Sequence, residues 1–317
     1  MFFYLVSTVI AENFTCEVES ENVVSNNTLL NKFYEPEIGK DYNIGVEDIR
    51  KKIVGSDGNI TIQVNWVYMG DLQSSNISNT GLAMDAVTAN FQKNNLPFQF
   101  KVISETRADE NYPLSSDDCG PQSMLYNKYG NHSPKVLNIF SGNYNNISGT
   151  SAFSKFPKLG NNHTEGVFFI RGDPDLLTHE IGHFLGLMHT FWGTGCDDPN
   201  NDFVKDTPVV LRKQETKNGS TSWPSFNWQC DVPQHTCKNQ PQQDMINNFM
   251  DYTSCGTRFT DGQRYRMMNF LYFRFNGSMP NSPSDSINNG ANIKKAIHSK
   301  SSVLVPTLLC VVSFFQI

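Results

Sequence analysis

The sequence predicts a mixed α/β (α+β) domain, followed by an irregular disulfide-stapled subdomain and a final helix. Two stretches with strand-like alternation flank a helical stretch between residues 59 and 104, which is the pattern of a β-α-β unit. Residues 193–254 show little periodicity and are rich in Asp, Asn, Pro, Thr and Cys. So long a region without regular structure needs covalent staples or a bound cation. We therefore expect a twisted mixed β-sheet with a backing helix, and an irregular region after it.

Hydrophobic periodicity places the strands and the backing helix. Apolar and polar residues alternate in NITIQVNWVYMG, from Asn59, and again in LPFQFKVIS, from Leu96. Between these strands, Met84, Val87 and Phe91 share one face of a helix. Two further short strands are predicted in KVLNIFSG and EGVFFI.

The final helix is predicted to begin at Asp261. Thr260 stands at its N-cap and Gln263 three residues later, which is the spacing of a capping box. Its apolar face is formed by Met267, Phe270, Leu271 and Phe275.

Both ends of the chain resemble processing signals. Residues 1–11 contain an apolar run that ends at Ala11, which predicts a signal peptide, although no basic residue precedes the run. Residues 12–58 are polar and are expected to form a pro-segment or an N-terminal extension. Residues 276–289 predict a flexible stalk. In residues 290–317, small residues, a polar spacer and a short apolar tail predict a GPI-anchor signal that is removed, and so a membrane attachment; a buried terminal segment is the alternative.

The composition favours an extracellular protein. The 317 residues carry a formal net charge of −6, which argues against a nucleic-acid partner. Seven cysteines fit an oxidising compartment. Nine glycosylation sequons fit a secreted, extracellular surface, although an Asn-rich chain also produces sequons by chance. The sequons are at Asn13, Asn26, Asn59, Asn76, Asn131, Asn146, Asn162, Asn218 and Asn276.

The stretch HEIGHFLGLMH predicts a metal centre. His179 and His183 are four residues apart and share a face of a helix, so both can bind one Zn²⁺ ion. Gly186 is expected to end the helix and turn the chain, because glycine tolerates positive φ. The turn would bring His189 to the same ion. Three histidines leave one coordination position open, which is typical of catalytic zinc, and Glu180 would take the proton of a zinc-bound water.

The other histidines carry a simpler interpretation. An ordinary surface or core role is the better hypothesis for His132, His163, His235 and His298. The combination of two histidines, Glu180, Gly186 and His189 at this spacing makes chance a poor explanation for the triplet.

An acidic stretch, GCDDPNNDFVKDTP, predicts a cation site. It places Asp197, Asp198, Asp202 and Asp206 within ten residues, and crowded carboxylates on a loop suit Ca²⁺. A solvated acidic loop is the alternative.

The zinc stretch resembles the extended signature of the metzincin metallopeptidases. Its surroundings, THEIGHFLGLMHTFWGTGC, DFVKDTP, NNFMDY and FTDGQRYRM, are similar to the pappalysin branch, with its ulilysin-like and fungal secreted enzymes. The likeness covers about residues 60 to 275. It implies a metzincin-type catalytic domain over residues 59–275, with an active-site helix. The implied activity is that of a secreted or cell-surface zinc metalloendopeptidase, which hydrolyses peptide bonds with Glu180 as general base.

The resemblance also implies roles for single residues. His179, His183 and His189 would be the zinc ligands, and Met250 would be the methionine of the Met-turn beneath them. Tyr252 would stabilise the tetrahedral intermediate, or bind the metal when no substrate is present; by sequence alone, both residues are more often core. Calcium in relatives points to Asp202, Asp206 and Thr207.

Four clustered cysteines allow three pairings by sequence alone. The resemblance implies Cys196–Cys237 and Cys230–Cys255, and zinc binding by the four is the rival. Cys16 could pair with Cys119, or could silence a zymogen through the open zinc position. Cys310 would leave with the C-terminal tail.

The expected substrates are proteins or peptides that lie extended beside an edge strand of the sheet. Only Thr253 and Ser254 separate Tyr252 from Cys255, where relatives often carry acidic residues, so a basic P1′ preference is not implied. The alternative function is a catalytically silent, zinc-stabilised adhesion or binding module of the same fold. A non-peptidase zinc hydrolase fits the ligands but not the Met-turn sequence.

Overall fold

The computed structural model describes a central part of the chain. The described residues are 54–69, 79–108, 119–142, 152–154, 166–169, 174–192, 195–197, 202–211, 215–217, 220–222 and 230–276. The expected signal peptide, stalk and anchor signal lie outside them, as does nearly all of the expected pro-segment. Also outside are Cys16, Cys310, Asp198 and six of the sequons, at Asn13, Asn26, Asn76, Asn146, Asn162 and Asn218.

Among the described residues, five strands form the main sheet. They are β1 (Ile60–Met69), β2 (Phe98–Ala108), β3 (Val136–Gly142), β4 (Ala152–Ser154) and β5 (Val167–Phe169). Their order is β2-β1-β3-β5-β4. All neighbours pair in parallel except β4, which pairs antiparallel with β5. The sheet is therefore mixed, and β4 lies at its edge.

Four helices and a small hairpin complete the described structure. The helices are α1 (Thr80–Lys93), α2 (Cys119–Tyr129), α3 (Pro174–Phe184) and α4 (Asp261–Asn276). The hairpin pairs β6 (Glu215–Lys217) with β7 (Ser220–Ser222). In the part of the chain that the structure describes, every helix is too short or too polar to span a bilayer.

Alternation along β1 separates two apolar clusters, because successive strand residues point to opposite faces. Ile62, Val64 and Trp66 belong to the larger cluster, with apolar residues of α1, α3 and α4. Val67 and Met69 belong to the smaller one, which includes residues of α2. The larger cluster thus holds the backing helix α1 and the histidine-bearing helix α3 against one face of the sheet.

The C-terminal region is stapled as well as packed. Disulfides join Cys196 to Cys237 and Cys230 to Cys255. At the start of α4, Thr260 Oγ1 accepts a hydrogen bond from the amide of Gln263, at 3.1 Å. In return, Gln263 Oε1 accepts one from the amide of Thr260, at 2.9 Å. This is a capping box.

The predicted fold class, a mixed α/β domain with a backing helix, a histidine-bearing helix and a stapled C-terminal region, is confirmed. The structure adds four elements that the periodicity did not indicate: α2, β4 and the β6–β7 hairpin.

Candidate metal centre

Helix α3 carries two of the three histidines and the glutamate between them. His179, Glu180 and His183 are all buried, and Glu180 is fully inaccessible to solvent. The helix ends at Phe184, and Gly186 follows with φ of +87°. The amide of Leu187 donates to the carbonyl of Gly182 at 3.0 Å. Such a bond closes a left-handed C-cap, and the chain then turns toward His189.

The turn brings three ring nitrogens together. His183 Nε2 lies 3.1 Å from His179 Nε2 and 3.1 Å from His189 Nε2. Nitrogens around one tetrahedral zinc, at the usual Zn–N distance, are about 3.3 Å apart. The three atoms therefore fit a single ion, and these histidines form a group able to hold a metal among the described residues.

The other ring nitrogens fix the tautomers. His179 Nδ1 contacts the carbonyl oxygen of Phe249 at 2.5 Å, and His183 Nδ1 contacts that of Leu187 at 2.8 Å. A carbonyl oxygen can only accept, so Nδ1 carries the proton in both rings and Nε2 keeps its lone pair.

Burial keeps these imidazoles neutral. It lowers the pKa of His179 to about 4, against the hydrogen bond to Phe249. It also lowers the pKa of His183 well below its usual value, with the neighbouring His179 as a further cause. Neutral imidazole is the form that binds a metal, so the pair is ready to bind at neutral pH.

Met250 packs against helix α3 between the two helical histidines, at Gly182. It is fully buried, and a Cβ added at Gly182 would meet its sulfur at 2.5 Å. The absence of a side chain at Gly182 is therefore what lets the sulfur pack against α3. The carbonyl of Met250 also accepts a hydrogen bond from the amide of Thr190, at 3.1 Å, which ties the residue after His189 to this methionine.

Two aromatic rings border His189. Tyr252 is half-buried, and its ring centroid lies 4.5 Å from that of His189 and 5.8 Å from that of His179. Phe191 stacks on His189 at 4.7 Å and meets the Tyr252 ring edge-on at 4.8 Å. The ring of Tyr252 therefore lies beside two of the candidate metal ligands.

Residues 171–272 match the model of peptidase family M43, described as pregnancy-associated plasma protein-A. We call residues 171–272 the pappalysin segment, because they are similar to that family over less than half of the chain. The predicted resemblance to the pappalysin family is thus confirmed for this segment, which contains all three histidines, Glu180, Met250 and Tyr252.

Two curated relatives of the pappalysin segment are named extracellular metalloproteases. One, from Colletotrichum graminicola, is 40% identical over 95 residues, which is 29% of this chain and 29% of the relative. The other, from Neurospora crassa, is 40% identical over 105 residues, or 32% of each chain. The match therefore spans less than a third of either relative.

Among solved structures, mature mirolysin of Tannerella forsythia, in complex with a cleaved peptide, aligns with a TM-score of 0.49 and 20% identity. The alignment covers 70% of this chain and 99% of that one.

The acidic loop of the pappalysin segment contains a buried carboxylate. Asp202 is fully buried, and its Oδ1 accepts from the amide of Val204 at 3.0 Å. Asp202 Oδ2 and Thr207 Oγ1 are buried without a hydrogen bond of ordinary geometry among the described residues. Burial raises the pKa of Asp202 to about 8, although the neighbouring Thr207 side chain acts to lower this pKa. These orphaned oxygens have the chemistry of hard-cation ligands.

Two other predicted acidic ligands are exposed and accept hydrogen bonds. Asp206 is exposed, and its Oδ2 accepts from the amide of Gly262 at 2.9 Å. Asp197 is exposed and accepts from Asn239 at 2.6 Å. Asp206 therefore links the loop to the start of α4, whereas Asp197 is held by a different segment.

The structure also locates three of the sequon asparagines and Cys119. Asn59 precedes β1 and Asn131 follows α2, both half-buried, while Asn276 is the last residue of α4. Cys119 is the first residue of α2.

Sequence reasoning missed two residues that contact the centre. Phe191 carries a weak signal, as an aromatic residue two positions after the third histidine. Ser154 carries none, because it lies on a three-residue strand; its hydroxyl is 2.8 Å from the Glu180 carboxylate.

Proposed function

We propose that the chain is a secreted or cell-surface zinc-dependent endopeptidase. The observation that carries the proposal is the convergence of three buried Nε2 atoms, with 3.1 Å spacings, beside the buried carboxylate of Glu180. Membership of the 171–272 segment in a metallopeptidase family supports it. The names of the fungal relatives support an extracellular location.

His179, His183 and His189 would hold the zinc. Zinc at such a site polarises a carbonyl and makes water a stronger nucleophile. Glu180 takes the proton of the attacking water and gives it to the leaving amine. Its complete burial places that carboxylate in a medium of low dielectric constant, where it interacts strongly with nearby charge.

Tyr252 would stabilise the negative charge that develops on the scissile carbonyl. A phenolic hydroxyl is a hydrogen-bond donor, and a fixed donor aimed at developing charge is an effective source of catalysis. Packing against His189 and Phe191 holds the ring beside the ligands. The substrate's side chain at P1′ would meet Thr253 and Ser254 rather than acidic groups.

The substrate would bind as an extended chain along β4. That strand pairs with β5 on one side, and β4 is the terminal strand of the described sheet. Main-chain groups on its other side could pair with a peptide by strand addition. Ser154 lies on the same strand, which brings the bound peptide past Glu180.

We also propose a second, structural cation site at the acidic loop. Asp202 and Thr207 supply neighbouring buried oxygens without a hydrogen bond of ordinary geometry among the described residues, and Asp206 is the third expected ligand. Calcium suits such oxygen ligands, and its charge would offset the burial of the Asp202 carboxylate.

The chain would divide into five segments. Residues 59–275 would form the catalytic domain, after a signal peptide over residues 1–11 and a pro-segment or extension over residues 12–58. Residues 276–289 would be a stalk and residues 290–317 a GPI-anchor signal. Anchoring would be tested by release of the mature protein from cells with a phosphatidylinositol-specific phospholipase.

Peptide hydrolysis with and without a zinc chelator tests the activity. The purified, processed protein should cleave members of a broad peptide library, lose activity on chelation and regain it when zinc is added back. A zinc-loaded protein that cleaves nothing would support the silent binding module instead. Cleavage that is unchanged by complete metal removal would contradict the zinc mechanism.

A further inference from the structure

Ser154 makes a contact that its place in the sequence does not suggest. Its Oγ lies 2.8 Å from a carboxylate oxygen of Glu180 and 2.8 Å from the main-chain carbonyl oxygen of the same residue. Both distances are typical of O–H···O hydrogen bonds. Ser154 and Glu180 are both buried.

The chemistry of the three oxygens fixes the direction of these bonds. A carbonyl oxygen and an ionised carboxylate can only accept, and a hydroxyl has one hydrogen to donate. Ser154 is therefore the donor, and its one hydrogen is shared between the two acceptors. Its hydroxyl bridges the end of the Glu180 side chain to the backbone from which that side chain extends.

The sheet fixes the position of the hydroxyl. Ser154 pairs with Val167 across β4 and β5, and the neighbouring Phe153 stacks on Phe168 at 4.8 Å on the other face of the sheet. Ala152, two residues before Ser154, belongs to the larger cluster that includes α3 residues. Alternation along β4 thus directs the hydroxyl toward α3.

We propose that Ser154 is a positioning residue, which holds the Glu180 carboxylate in the orientation needed to take a proton from the attacking water. The inference rests on the proposed function, in which Glu180 is the general base. A glutamate side chain has three rotatable bonds, and general-base catalysis requires the carboxylate to lie within hydrogen-bond reach of the proton. The bridge to its own carbonyl restricts those rotations, and second partners of this kind pre-organise a site.

Kinetics of Ser154→Ala test the proposal. The substitution removes the hydroxyl and leaves the strand in place, and we expect kcat to fall about 10- to 100-fold. KM and the zinc content should stay close to the wild-type values, because the hydroxyl contacts Glu180 and no histidine ligand in the described structure. Ser154→Thr keeps a hydroxyl and should recover most of the loss.

A matched control separates positioning from stability. Ser141 is also a buried strand serine, and its Oγ accepts from Trp66 Nε1 at 2.6 Å. Ser141→Ala loses a buried hydrogen bond as well, and should lower Tm without lowering kcat at a temperature where both variants are folded. If Ser154→Ala keeps the wild-type kcat, or if Ser141→Ala loses as much, the proposal is wrong.

A structural readout tests the inference independently of activity. In a crystal structure of Ser154→Ala, the Glu180 carboxylate should occupy more than one rotamer. A carboxylate that keeps a single, unchanged position would overturn the proposal. If instead the proposed function is wrong, the wild-type protein itself will be inert. That result is distinguishable from an active wild type whose Ser154→Ala variant is unchanged.

Discussion

His183 Nε2 and His189 Nε2 lie 3.1 Å apart, although six positions separate the two residues in the chain. On a continuous helix, six residues advance about 9 Å along the axis and turn the side chains to different faces. The positive φ of Gly186 ends the helix and brings His189 back. The metal centre therefore depends on one backbone conformation.

Gly186→Ala should damage the centre through the backbone. A left-handed φ costs a residue with a Cβ about 1–2 kcal/mol, and the added Cβ would lie 3.1 Å from the Phe270 ring. We expect a lower Tm and weaker zinc binding, measured by thermal unfolding and by competition with a chromogenic chelator. Gly195→Ala is the control, because a Cβ there meets nothing within 4 Å. Equal zinc affinity in Gly186→Ala and the wild type would contradict this account of the turn.

The stability of the metal-free protein should fall in acid because of His179. Burial lowers its folded pKa from 6.5 to about 4, so below pH 6.5 the unfolded chain takes up a proton that the folded chain does not. The free energy of unfolding therefore has its full value, as far as His179 is concerned, above pH 6.5. It decreases as the pH falls toward 4, by no more than about 1.4 kcal/mol per pH unit.

Urea unfolding of metal-free protein between pH 7 and 4 measures this effect. His179→Gln should show a smaller loss of stability over that interval than the wild type. An identical pH dependence in wild type and His179→Gln would show that burial of this imidazole does not destabilise the acid form.

Asp202 should make the free energy of unfolding change with pH in the opposite direction, at higher pH. Burial raises its folded pKa from 3.8 to about 8, so the folded chain keeps a proton that the unfolded chain has lost. Without divalent cations, stability should therefore fall as pH rises between 6.5 and 8, where the His179 contribution is already complete. At the proposed cation site calcium would bind the charged carboxylate, so its addition should raise Tm more at pH 8 than at pH 6.5.

Asp202→Asn should remove both the slope and the calcium response, and thermal unfolding at the two pH values measures them. Asp197→Asn is the matched control, because Asp197 is exposed and bonds to Asn239. A full calcium response in Asp202→Asn would place the cation elsewhere.

Tyr252→Phe should lower kcat with little change in KM. The loss of a donor to developing charge acts on the transition state, and we expect a decrease of up to about 100-fold. Steady-state kinetics on one peptide measure it. Tyr126→Phe is the control, since Tyr126 belongs to the smaller cluster and its hydroxyl donates to the carbonyl of Asn131. Unchanged kcat in Tyr252→Phe would limit the residue to a packing role.

Local signals were sufficient for the elements that form the candidate metal centre. Three features are set by residues close together in the chain, so the sequence predicts them. They are the turn at Gly186, the spacing of the histidines and the Thr260–Gln263 capping box. The strands β1, β2 and β3 are long enough for alternation to be visible, and α1 has a clear apolar face.

The features that the sequence did not reveal depend on tertiary contacts. Strand β4 is three residues long, too short for a period, and its place at the sheet edge comes from pairing with β5. Helix α2 lacks a clear apolar stripe. The role proposed for Ser154 requires β4 to lie against α3, and the need for glycine at position 182 appears only when Met250 packs there.

The most direct test of the central claim compares wild type with Glu180→Gln in zinc-loaded protein. Glutamine matches the shape of glutamate but cannot accept the proton, and Glu180 is not expected to bind the metal. We predict one zinc per chain in both proteins and a kcat for peptide hydrolysis that is about 10²- to 10⁴-fold lower in the variant. Equal kcat in two proteins with the same zinc content would contradict the assignment of Glu180 and the proposed mechanism.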